Sequence, residues 1–212
     1  MHVATYRETT AGQSISLTAR EWRTESGWHL ESASSGGDRH VVVTDADLRT
    51  RSWSFRDASE SVLAQREGGR VAVTVRNSPE SPVRSSGSAE LGDHPWIQSI
   101  ERSLRPFVLG GNPGDRLRFS VVQPDTLSVR TLQAQIMGDE RVAVDGDSVD
   151  ARLVRISLPG IGSLFWRSFY WYRLPDGLFV RSEVTRGPPG TPETVVVLTG
   201  ERDDAEEART PD

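Results

Sequence analysis

The residue types that could do chemistry are few and badly spaced for catalysis. The four histidines, His2, His29, His40 and His94, include no i, i+4 pair and no HExxH context. Each reads as a surface or strand histidine. A serine nucleophile needs a strained strand-to-helix elbow, and Gly160-Ile161-Gly162-Ser163 does not fit G-x-S-x-G. Asp45-Ala46-Asp47 and Asp145-Gly146-Asp147-Ser148-Val149-Asp150 gather carboxylates. The second lacks the spacing of a calcium loop, so it reads as a hairpin turn. Paired carboxylates could act as acid and base, but nothing in the sequence fixes their separation. We therefore expect no catalytic residue, no metal site and no cofactor.

Composition removes further chemistries. All 25 cationic side chains are arginine and there is no cysteine. No lysine Schiff base, Walker A lysine, thiol nucleophile, thiolate metal site or disulfide is available. The chain of 212 residues carries a net charge of -5 with no basic cluster, which argues against nucleic acid or an anionic membrane as partner. No run approaches the length of an integral membrane segment. The start, Met1 to Glu8, lacks a basic head and an apolar stretch. As written the chain reads as cytoplasmic, or periplasmic if a signal has been removed.

What stands out is aromatic. Six aromatics fall within eight positions, from Phe165 to Tyr172. In a strand, Phe169 and Trp171 face one way while Tyr170 and Tyr172 face the other. The plain reading is that one pair packs the sheet on its helix and the other covers its back. The functional reading is an apolar groove, with Trp96, Phe119, Phe169 and Trp171 as the expected ligand contacts.

The elements that must position them follow a period of two. Ile15, Leu17 and Ala19 alternate with polar residues up to Trp22, and Trp28 to Glu31 returns after the turn at Glu25-Ser26-Gly27. Further strands are expected at 39–44, 50–56, 62–66 and 71–76. Residues 77–92 are rich in Ser, Pro, Gly and Glu and read as a mobile surface loop. A helix is expected next, capped by Asp93, with Trp96, Ile97, Ile100 and Leu104 on one face and its end or kink at Pro106. Leu117, Phe119 and Val121 open a second series, continued by 127–137, 141–144, 149–158, 168–174, 178–186 and 194–200. Residues 201–212 read as a disordered acidic tail.

These elements predict a mainly β fold over residues 1–200. It is a single half-barrel domain in which one long curved antiparallel sheet holds one helix on its concave side; a closed barrel is the alternative. The two meanders around a helix, the start at Gly138-Asp139-Glu140-Arg141-Val142, the Tyr170-Trp171-Tyr172 strand before Pro175-Asp176-Gly177, and the hairpin from Arg186 to Leu198 resemble bacterial half-barrel proteins related to lipoprotein carriers. Within that group the likeness is to uncharacterised families. It implies binding or transport of apolar molecules at the cell envelope, and carries over no catalytic or ligand residue. The expected function is non-enzymatic binding of an apolar small molecule or lipid on the concave face. The alternative is an interaction module with a protein partner.

Overall fold

The computed structural model describes residues 1–160, 166–185 and 191–204. Fourteen strands form one antiparallel sheet. The first meander runs through β1 (His2–Thr10), β2 (Gln13–Thr24), β3 (Gly27–Ser34), β4 (Arg39–Thr44), β5 (Thr50–Arg56), β6 (Ser61–Glu67), β7 (Arg70–Arg76) and β8 (Val83–Glu90). Two short helices follow, α1 (Ile100–Ser103) and α2 (Arg105–Gly110). The second meander comprises β9 (Arg116–Gln123), β10 (Ser128–Val144), β11 (Asp147–Ser157), β12 (Arg167–Arg173), β13 (Phe179–Thr185) and β14 (Glu193–Asp203). Pairing of β1 with β14 joins the two meanders, so the sheet's edges are β8 and β9.

The sheet is curled but not closed. In sheet order β5 and β9 stand ten places apart, about 48 Å in a flat sheet at the usual strand spacing. Yet residues 95–97 bridge them: Thr50 N–H donates to Trp96 O at 2.8 Å, and Ile97 N–H donates to Ser120 O at 2.9 Å. Only a strongly curved sheet brings both within reach of three residues. Gln98 extends the bridge with its side chain. Its Oε1 accepts from Val122 N–H at 3.0 Å and from Trp96 Nε1 at 2.9 Å, and its Nε2 donates to Val122 O. The edge strand β9 is thus partly satisfied by an amide side chain instead of a neighbouring strand.

The core divides into two clusters, one mainly on β3 to β7 with Val122 of β9, the other joining β1 and β2 to the second meander. One cluster joins Leu30, Val42, Trp53, Val62, Val73 and Trp96; the other joins Ile97, Leu104, Val108, Phe119, Ile136, Val154, Tyr172 and Phe179. Adjacent Trp96 and Ile97 therefore anchor the crossover in both.

Several expectations need correction. Residues 77–92 are not a loop throughout, because β8 pairs along β7. Its small residues Ser85, Gly87 and Ala89 lie opposite Val75, Val73 and Val71, which are almost wholly buried. A Cβ on Gly87 would stand 3.3 Å from Leu127, so bulk is excluded there. The strand is held by its backbone and its apolar neighbour, and hydropathy alone did not reveal it. The helix starts at Ile100 and not after Asp93, because residues 95–97 bond to β5 and β9 instead. Pro106 ends nothing beyond α1; it sits in the first turn of α2, where its missing N–H costs no bond. Met137, beside Gly138, is the extra residue of a bulge within the single strand β10, not a break between two strands. Strand β1 was not anticipated, and β14 continues to Asp203, into the expected tail. The stretch 161–165, the turn at 186–190 and residues 205–212 lie outside the described residues.

Turns match their chemistry. Asp145 and Gly146 take φ of 47° and 94° between paired Val144 and Asp147, a tight hairpin in place of a metal loop. Asp45 Oδ1 accepts from the N–H groups of Asp47 and Arg49, closing its own turn. Gly27 has φ 154°, and a Cβ there would fall 2.0 Å from Thr44 O, so only glycine fits. No helix among the described residues is long and apolar enough to cross a membrane.

Candidate functional site

A cleft of about 400 Å³ opens on the concave face between the first strands of one meander and the last of the other. Strand alternation builds it. Tyr6 and Glu8 of β1 pair with Leu17 and Ile15 of β2, all on one face. The same face continues in neighbouring rows: Leu17 stands opposite Ser34 and Ala19 opposite Ser32 of β3, and Ser32 and Leu30 stand opposite His40 and Val42 of β4. Ser182, Val184 and Val196 extend the floor across β13 and β14. Ile15 and Leu17 are only half-buried, whereas Leu30 and Val42 are closed over. The crossover forms a roof with Gln98, Ser99, Glu101 and Arg102.

Rings bound the cleft on two sides. Phe179 packs against Tyr6 and Tyr170 with centroids 5.4 and 6.0 Å apart. On the other side Trp53 Nε1 donates to His40 Nδ1 at 3.3 Å, and His40 lies 4.7 Å from Phe55. That bond holds the imidazole among aromatic neighbours.

The roof is tied to the floor by polar contacts. Glu21 of β2 is 8% exposed; it accepts from Arg105 at 2.9 Å and lies 3.7 Å from Arg102 Nε. Tyr172 donates from its hydroxyl to Ile100 O at 2.9 Å, and Tyr6 donates to Phe179 O at 3.2 Å. Burial pushes both phenols well up, and the negative charge of Glu101 adds to the shift at each. Both stay protonated at neutral pH, as donors to carbonyls.

None of the four expected ligand contacts lines this cleft. Trp96 and Phe119 are fully buried, the first under the crossover and the second in the core of β9. Phe169 and Trp171 lie on the convex face. Trp171 donates to Glu140 Oε1 at 2.6 Å, and the Arg181 guanidinium stands 5.8 Å from its ring centroid. It is their alternates Tyr170 and Tyr172 that face inward. The cleft residues the sequence reading passed over are Ile15 and Leu17. Their alternation was visible, but nothing in it distinguished a half-covered floor from an ordinary core strand.

A second depression of about 670 Å³ lies near the start of β1 and the end of β14, among Trp22, Trp28, Arg23 and Arg173. Arg173 is already held by Asp176 and Glu201. No group of three or more metal-binding side chains gathers among the described residues.

No protein-family model and no curated protein matches the sequence. Solved structures do match. A β-barrel-like protein of the domain of unknown function DUF1849 from Brucella abortus aligns over 94% of this chain and 96% of its own, at 12% identity and TM-score 0.61. The chain shares that half-barrel fold. The hypothetical lipoprotein YmcC from Escherichia coli aligns over 92% of this chain and 86% of its own, at 12% identity and TM-score 0.50. A LolA superfamily protein from Nitrosomonas europaea covers 96% and 86% at 11% identity, with a TM-score of 0.25 that is too low to bear on the fold. The resemblance carried by residues 138–198 therefore holds as a likeness of fold, and the closed barrel is set aside.

Proposed function

We propose that the protein is a non-enzymatic binding protein that holds an apolar or lipid-like molecule in the concave cleft. The observation that carries this reading is the floor: Ile15 and Leu17 leave aliphatic surface half-exposed inside a concavity, where a sheet packed for stability alone would close over it. The volume, about 400 Å³, suits one short chain or a compact apolar body. An envelope location, in place of the cytoplasmic one, belongs to this reading, supported by the likeness of fold to the hypothetical lipoprotein YmcC.

The test is a titration with Nile red, an uncharged apolar dye, displaced by a neutral monoacylglycerol. Wild-type protein is expected to give saturable, displaceable fluorescence. Leu17→Gln removes apolar contact from a half-buried position and is expected to weaken binding about tenfold, the loss for roughly one and a half buried methylene groups. Non-saturable dye uptake, equal in the two proteins, overturns the reading and favours the interaction module.

A further inference from the structure

The charged groups around the cleft bear on the polar end of its occupant; this step rests on the binding reading above. Glu8, Asp38 and Glu101 bring carboxylates to the lining, and Arg102 is the one guanidinium among the described lining residues. That guanidinium is already engaged. Its Nε lies 3.7 Å from Glu21, both side chains being nearly closed to solvent. His40 turns Nδ1 to Trp53. Glu101 is different. Among the described residues it has no ion-pair or hydrogen-bond partner, and it sits in the roof one residue from Arg102. At the buried Tyr172 hydroxyl its charge is the leading one and favours the protonated form, while at Tyr6 Arg102 opposes it more strongly. Tyr6 and Tyr170 present aromatic rings on the same wall, and ring faces attract cations while gaining nothing from anions.

We propose that the cleft selects an amphiphile whose polar end is a cationic amine: the ammonium meets Glu101 beside the rings of Tyr6 and Tyr170, and the alkyl chain lies along Ile15 and Leu17. A carboxylate of the same chain length brings its charge against Glu101, and the one guanidinium among the described lining residues is ion-paired with Glu21. A fatty acid is thus the wrong lipid for this site, although an apolar groove alone would accept one.

The experiment is displacement of Nile red at pH 7 and low salt by dodecylamine, 1-dodecanol and laurate, each below its aggregation limit. The amine is expected to displace at a concentration about tenfold below the alcohol, and the laurate above the alcohol. In 0.5 M salt the spread should contract while the alcohol is unmoved. Glu101→Gln, checked by its melting curve, should cost the amine most of its advantage over the alcohol, read as the ratio of the two within that variant. The wild-type ranking stands whether or not that variant folds. Laurate equal to or better than the amine, or alcohol equal to the amine, overturns the inference while leaving the binding reading intact. Displacement by none of the three, with dye uptake itself non-saturable, overturns the binding reading instead.

Discussion

Trp171 shows how one residue's role turns on which face it occupies. Sequence placed it among aromatics fit for a groove, but in the fold it covers the convex side, bonded to Glu140 and flanked by Phe169 at 6.4 Å. It is 8% exposed, so removing it leaves a cavity. Trp171→Ala is expected to cost about 3–5 kcal/mol in a denaturant melt. Nile red affinity of the protein that remains folded should not change, because the ring does not line the cleft. A loss of affinity beyond the unfolded fraction would place Trp171 back at the ligand.

At the scale of elements, the roof depends on how two short helices are held. Neither α1 nor α2 is long enough to be stable on its own, and neither has a side-chain N-cap. Arg152 of β11 supplies what they lack. It donates at 2.7 Å to the carbonyls of Val108 and Gly111 at the end of α2, and its other nitrogens grip Asp139 at 2.7 and 3.0 Å. The Arg152 hydrogen bond holds the Asp139 carboxyl below the ordinary 3.8, with burial opposing. A carboxyl depressed on folding contributes stability that is full above its unfolded value and lost as pH falls through its folded value. Asp139→Asn should therefore melt below wild type at pH 7, with the gap closing as pH drops through the range below about 4. The gain is modest, since Asp139 is 44% exposed and solvent screens it. A gap that is constant from pH 7 to pH 2 would show that Asp139 does not act through its charge.

At the scale of the whole molecule, the crossover links two cores. Trp96 belongs to the cluster on β3 to β7, and Ile97 to the cluster that joins β1 and β2 to the second meander. Among the described residues the ladder that pairs the meanders is β1 against β14, partners nearly two hundred positions apart in sequence. Pairing of that range is slow to form and depends on both halves being in place. Trp96→Ala is expected to cost about 3–5 kcal/mol. It should also split a single calorimetric unfolding peak into two, with the β3 to β7 cluster melting ahead of the other. A single, merely lowered peak would mean that the β1–β14 seam couples the halves without the crossover.

Most strands were legible because period-two alternation is a local property, and the Asp145-Gly146 and Gly27 turns were legible because backbone conformation there demands those residue types. The absence of lysine and cysteine likewise narrowed the chemistry without any structure. Three things were not local. Strand β8 exists because β7 offers it a ladder; its own side chains carry almost no signal. Residues 95–97 are extended because β5 and β9 compete successfully for their backbone groups. The candidate site sits where it does because curvature of the sheet decides which of two alternating sets faces inward. Alternation along β12 separates Tyr170 from Trp171 but is symmetric between the faces. Burial of the tyrosines beside Phe179 and under the crossover breaks that symmetry, and such packing arises only once distant strands have met.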